Sequence, residues 1–191
     1  AAGLGALAVG GVVSYHLFDH VKTRVSVWLN PWSQANDGGY QIVQGLMAIV
    51  SGGMFGTGLG LGSPKSIPAY RTDYIFAVVC EEMGVLAGIL LIGFYVMLVV
   101  RGAIIARRAV NAYHALLALG STVLIALQSF IIIGGVIKLI PLTGITLPLV
   151  SYGGSSMVAT FMLIGILQAV SEASGREAEA HLEEEGEEEE A

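Results

Sequence analysis

The amino-acid sequence predicts an all-α integral membrane protein with about four transmembrane helices and one large extracytoplasmic loop. Three observations carry this. Hydrophobic residues make up 54% of the chain and charged residues only 13%, whereas a soluble domain carries about 25% charged residues. The apolar residues gather in runs near the ~20 residues that cross a hydrocarbon layer. Apart from Glu81 and Glu82, the charges fall between these runs and at the C-terminus. Such a chain needs no large soluble core, because lipid covers its apolar surface.

The first run, about residues 1–18, is short and glycine-rich. The second, about 74–100, and the third, about 115–137, meet the length requirement comfortably. The fourth, about 148–170, is apolar but opens on a Pro/Gly-rich stretch. Between the first two lies the long loop, residues 19–73. It holds Trp28 and Trp32, which suit a membrane interface. It also holds an amphipathic stretch, YQIVQGLMAIV, fit to lie in the interface or dip into the protein. The segment SGGMFGTGLGLGSPKSIP follows without a regular period. Its glycines alternate instead of following G-x-G-x-x-G, so it reads as a loop needing positive φ or close backbone approach, not as a dinucleotide fingerprint.

Two regions result: residues 1–170 as the membrane region and 171–191 as an acidic tail. The net charge of −6 hides this division. From Glu172 onward there are ten acids against one base, Arg176; before it, five acids stand against eight bases. So acidic and self-repelling a tail reads as disordered. The chain opens AAGLGALAVGG, without Met or a basic leader, which argues against a signal peptide and for a start inside a longer protein. Cys80 is the single cysteine, so no disulfide forms within the chain. Orientation follows from the short loops: Arg101, Arg107 and Arg108 lie in one, Lys138 alone in the next. The positive-inside rule places the arginine loop and the acidic tail in the cytoplasm, and the long loop outside.

Only five acids precede the tail: Asp19, Asp37, Asp73, Glu81 and Glu82. Asp19 reads as an interfacial charge, and Asp37, in NDGG, as turn chemistry. Asp73 admits two readings. Thr72 or Asp73 could cap the second spanning helix. Alternatively, Asp73 is a carboxylate at the mouth of a membrane cavity, next to Arg71 and near Lys65, able to act as a general base. Glu81 lies two turns deeper on nearly the same face and could line the same cavity; ionisable groups at that depth are functional by default. His16 and His20 have the spacing of a metal pair, but no acid completes a zincin motif. The stretch GGVIKLIPLTGITLPLVSYGGSS puts irregular backbone near membrane depth. That is tolerated only where it is buried in protein or lines a cavity, so it is either a binding element or a structural re-entrant loop.

Four blocks in order resemble one family: RVSVWLNPW with GYQIVQ, SGGMFGTGLGLG, RTDYIFAVVCEEMG, and PLTGITLPLVSYGGSS. They are similar to the signature blocks of the SEDS family (FtsW, RodA and SpoVE types) and span about residues 24–170. The resemblance implies the last four helices of a ten-helix fold. It implies a peptidoglycan glycosyltransferase that polymerises lipid II in division, elongation or sporulation. The rival readings are a lipid II flippase and a membrane scaffold for a transpeptidase. The family's essential aspartate maps onto Asp73; Tyr74 stands where Phe is usual. The blocks also supply Tyr40, Gln44, Ser151, Tyr152 and Ser155 for substrate binding, beside Lys65, Arg71 and Glu81. Lys65 and Arg71 are candidates to stabilise diphosphate charge. No metal site is specified, though a divalent cation could share that role. The implied partners are lipid II, a class B penicillin-binding protein and other divisome or elongasome membrane proteins, with no nucleic acid. The implied location is the bacterial plasma membrane.

Overall fold

A computed structural model of the chain describes residues 19–190, with side chains as far as Arg176 apart from His20. The expected first spanning helix and His16 lie outside the described residues. Among the described residues there are five α-helices: α1 (Asp19–Leu29), α2 (Tyr40–Gly52), α3 (Ile75–Arg108), α4 (Ala112–Val136) and α5 (Gly154–Glu190). Short 3-10 turns at Pro31–Gln34 and Pro64–Ser66 join them, and the described residues contain no strand. Among the described residues three helices are long and apolar enough to cross a membrane: Ile75–Arg108, Ala112–Val136 and the Gly154–Arg176 part of α5. The long loop is thus largely helical. Its first helix is not foreseen from the sequence, because DHVKTRVSVWL lacks a clean apolar stripe.

At 34 residues α3 is about 50 Å long, beyond the ~30 Å of a hydrocarbon core. It reaches Arg108, so the expected arginine loop is mostly helix. A tight corner follows, where the Asn111 side chain accepts from the His114 N–H at 2.8 Å and caps α4.

Gly84 breaks α3 with φ 87° and ψ 165°. In an unbroken helix the Val85 and Leu86 N–H groups would bond to the carbonyls of Glu81 and Glu82. Instead the glycine-rich segment enters the gap. Val85 N–H donates to Gly53 O (2.9 Å) and Leu86 N–H to Met54 O (3.4 Å), while the carbonyls of Glu81 and Glu82 accept from Thr57 N–H (2.9 Å) and Gly58 N–H (3.0 Å). Both sides of the gap are satisfied, as hydrocarbon depth demands. The approach tolerates only glycine: a Cβ at Gly84 would collide with Met54 O, and one at Gly56 with Glu82 O. Of the alternating glycines, Gly56 is thus required by close approach, while Gly58 and Gly60 take positive φ, 109° and 75°.

The fourth run does not become helix at Pro148. Helix α5 begins at Gly154, and residues 137–153 form an irregular segment with positive φ at Lys138, Gly144 and Leu149. Proline at 141 and 148 denies two N–H donors, and the segment's carbonyls find partners on surrounding elements. Tyr95 Oη donates to Pro148 O (2.5 Å), Gln128 Nε2 to Thr146 O (2.9 Å) and Trp28 Nε1 to Lys138 O (3.1 Å). Trp28 is therefore a structural donor as well as an aromatic at the expected interface.

At the other end α5 continues through Glu190, where the sequence predicts a disordered tail. Alanine and glutamate are strong helix formers, and Glu172 pairs with Arg176 one turn on. Two apolar clusters hold the bundle. One joins Ile67, Tyr74, Ala77, Tyr95, Ile132 and Leu147 beneath α2; the other joins Ala118 and Ile125 of α4 to Leu167 and Val170 of α5.

Candidate functional site

The candidate site forms where α1, α2, the start of α3 and the irregular segment meet. Residues 69–74 wind into a turn on one carbonyl. Ala69, at φ 55°, accepts from the N–H groups of Thr72, Asp73 and Tyr74 at 3.1–3.3 Å, and from Thr72 Oγ1 at 3.2 Å. The N-cap of α3 is Tyr74, and no side chain caps it. The capping reading of Thr72 and Asp73 therefore fails: Thr72 spends its hydroxyl on Ala69, and Asp73 is left with a carboxylate that has no hydrogen-bond or ion-pair partner among the described residues.

That carboxylate, half-buried, lines a cavity of about 300 Å³. Thr23, Arg24 and Val27 of α1 form one wall, Gln41 and Ile42 of α2 another, and Leu142 and Gly144 the third. Gly144 comes so close that a Cβ there would lie 3.5 Å from Asp73 Oδ2, at φ 75°. Arg24 is fixed by its Nη1 donating to Leu142 O at 3.0 Å, and Gln41 by its Nε2 donating to Pro68 O at 3.0 Å. The next residue, Tyr74, is fully buried with an unpartnered hydroxyl and does not line the cavity. Burial first, and then the adjacent Asp73 carboxylate, push its phenol above the ordinary value.

The irregular segment is bound to the Asp73 turn by two contacts. Ser151 Oγ donates to Thr72 O at 2.5 Å and accepts from Leu147 N–H at 2.7 Å; Tyr152 N–H donates to Arg71 O at 2.8 Å. Of the other expected residues, several lie elsewhere. Arg71 folds back on its neighbour, with Nε 2.9 Å from Tyr70 Oη, and Lys65 is exposed on its 3-10 turn. Neither lines the cavity. Tyr40 and Gln44 do not line it either; Gln41 and Ile42 do. The Tyr152 side chain is 78% exposed, and only its backbone engages the turn. Ser155 is exposed, while its neighbour Ser156 accepts from Thr146 Oγ1 at 2.6 Å.

Glu81 belongs to a different place. It is buried, with Oε1 accepting from Ser63 N–H at 3.0 Å and Oε2 unpartnered. It steadies the inserted glycine segment and does not line the Asp73 cavity. The residue that sequence reasoning missed is Arg24. It stands at the start of RVSVWLNPW, but 49 residues separate it from Asp73, and nothing local in the sequence brings them together. Among the described residues no three His, Cys, Asp or Glu side chains gather as a metal site.

This is an all-helical membrane protein with a carboxylate–arginine cavity at one end of its bundle. The model of the FtsW/RodA/SpoVE family of cell cycle proteins matches residues 2–176, and the chain belongs to that family. It is 43% identical over 174 residues to the peptidoglycan glycosyltransferase RodA of Mycobacterium tuberculosis (strain ATCC 25618 / H37Rv), an alignment covering 91% of this chain and 37% of the relative. It is 42% identical over 171 residues to the stage V sporulation protein E of Bacillus subtilis (strain 168), covering 88% and 47%. A chain from a solved structure on "structural coordination of polymerization and crosslinking by a peptidoglycan synthase complex" superimposes with a TM-score of 0.69 at 26% identity, covering 91% of this chain and 48% of that one. The chain thus spans less than half the length of these relatives.

Proposed function

We propose that this chain is the catalytic-aspartate region of a peptidoglycan glycosyltransferase acting on lipid II. The observation that carries it is the Asp73 carboxylate, free of protein partners among the described residues, in a cavity that also holds Arg24. In the proposed reaction Asp73 accepts the proton of the acceptor's GlcNAc 4-hydroxyl. The oxygen attacks the anomeric carbon of the lipid-linked donor chain, that carbon's bond to the diphosphate oxygen breaks, and undecaprenyl diphosphate leaves. Arg24 uses N–H groups beyond the one given to Leu142 to balance the departing charge. This is the role expected of Lys65 and Arg71, moved to the base that lines the cavity. Asp73 is the only carboxylate lining the cavity among the described residues, so a divalent cation would bind by sharing it with the substrate's own phosphates.

A class B penicillin-binding protein is the proposed partner, as the cross-linking enzyme for the product. The proposed orientation has the Asp73 end outside and the arginines and acidic stretch in the cytoplasm. The contact of Trp28 with Lys138 O supports it, since it puts the long loop and the Lys138 segment at one end of the bundle. The test is reconstitution of the full-length protein with its partner and lipid II, followed by gel analysis of glycan. Polymer is the expected product. Translocation of lipid II without polymer would leave a transporter and overturn the reading.

A further inference from the structure

A second polar cavity lies at the opposite end of α3 from Asp73. Arg101 and Arg108, two turns apart on one helical face, line a space of about 570 Å³ together with Ile104 of α3 and Ser171, Ser174 and Gly175 of α5. Both arginines are exposed, and neither has an acidic partner among the described residues. Glu172, the acid beside Ser171, is taken by Arg176.

An apolar hollow of about 260 Å³ adjoins this cavity and shares Arg101, Ile105 and Ser171 with it. Its walls include Val99, Ile125, Ile164 and Leu167. The feature is one slot with a cationic mouth and a hydrocarbon floor. The apolar run of α3 ends at Val100, so the mouth sits where a bilayer gives way to headgroups. A free inorganic anion would use the mouth and leave the floor uncovered. An acidic protein would meet two arginines but gain nothing from a groove between helices. An amphiphile with a phosphate head and an acyl chain satisfies both halves, and basic clefts between spanning helices are where such headgroups bind.

We propose that this slot is a binding site for an anionic phospholipid. Its phosphate is held by Arg101 and Arg108, with the Ser171 hydroxyl as a further donor, and one acyl chain lies along Ile125 and Ile164. The site is independent of the glycosyltransferase reading, since it shares no residue with the Asp73 cavity.

The test uses the full-length protein in a neutral detergent. Thermal unfolding is followed during titration with phosphatidylglycerol or phosphatidylcholine, and lipid retained through purification is quantified by mass spectrometry. Phosphatidylglycerol should raise Tm and be retained, and phosphatidylcholine should do neither. The Arg101→Gln/Arg108→Gln variant should bind phosphatidylglycerol roughly thirty-fold more weakly, from the usual strength of two basic residues near an anionic surface. Ile164→Trp, which fills the hollow and keeps both arginines, should also weaken it. Lys22→Gln, a charge removed from the other end, should not. Equal stabilisation by inorganic phosphate or glycerol phosphate would overturn the proposal in favour of a simple anion site. Displacement by undecaprenyl phosphate but not by phosphatidylglycerol would overturn it in favour of the substrate's carrier lipid. Should either variant fail to fold, the contrast between phosphatidylglycerol, phosphatidylcholine and soluble phosphate on the unaltered protein still decides it.

Discussion

The Ser151 hydroxyl donates to the Thr72 carbonyl at 2.5 Å, across 79 residues of sequence, and so fastens the irregular segment to the turn that presents Asp73. The same oxygen accepts from the Leu147 N–H, so one side chain serves two backbone groups, one buried and one part-buried. Ser151→Ala should leave both groups unpaired, at about 1–3 kcal/mol for each buried group left unsatisfied. Thermal unfolding in detergent should show the loss, and polymerisation per folded molecule should fall too, because Gly144 on the same segment walls the cavity at Asp73. Normal Tm with normal activity would show that the fastening is dispensable.

The break at Gly84 makes a second, sharper contrast. Gly84→Ala drives a methyl into the Met54 carbonyl at φ 87°, so the inserted segment must leave the gap. Folded yield should collapse. Gly93, on the same helix, has open space where a methyl would stand, and Gly93→Ala should be neutral or stabilise by up to about 1 kcal/mol through helix propensity. Fluorescence size-exclusion profiles of the two variants decide whether the break is a requirement of the fold.

How much of this was open to reading from the chain depends on range. The spanning runs of α3 and α4 follow from composition, and Asp73 stood out because a lone acid at a helix start is locally visible. The insertion of residues 53–58 into α3 was not visible. It depends on backbone groups, and the alternating glycines signal close approach without saying what approaches. Arg24 was missed for the same reason: it comes to line the Asp73 cavity through the packing of α1 on Leu142, which no local pattern encodes. Glu81 shares a helix face with Asp73 in an ideal helix, but the glycine segment fills that space and takes the carboxylate for itself.

Glu81 therefore acts as an acceptor for the Ser63 N–H, not as a second base. Glu81→Gln keeps an acceptor and should retain most of the stability and polymerisation. Glu81→Ala should lose about 1–3 kcal/mol through the unpaired Ser63 N–H. If the glutamine variant were as inactive as the alanine variant with its Tm intact, the negative charge itself would matter, and the acceptor role would be set aside.

Arg24 and the two bases expected from sequence can be separated directly. Arg24→Gln should reduce polymerisation by about 10²-fold, the usual scale for losing one group that stabilises developing charge. Lys65→Gln and Arg71→Gln should have effects within a few-fold, since neither lines the cavity. Initial rates on lipid II for the three variants make the comparison. The reverse ranking would return the diphosphate role to the loop.

Asp73 carries the decisive prediction, because the structure removes the ambiguity of its position. A residue at the start of a helix ordinarily risks being a cap, whose loss costs about 1 kcal/mol. Here the N-cap is Tyr74 without a side-chain cap bond, and the Thr72 hydroxyl is turned to Ala69. The Asp73 carboxylate has no protein partner among the described residues to lose, and Asn keeps its size. Asp73→Asn should therefore leave Tm and partner binding unchanged while lowering polymerisation by at least the ~10²–10⁴-fold that a general base supplies. Glutamate at the same position keeps the base but lengthens it by one methylene toward the Gly144 wall, and should recover a small part of the rate. A fall in Tm that matches the fall in rate would mean that the carboxylate holds the turn together. Near-normal polymerisation by the Asn variant would remove Asp73 from the reaction and leave the cavity without a base, since no other acid among the described residues lines it.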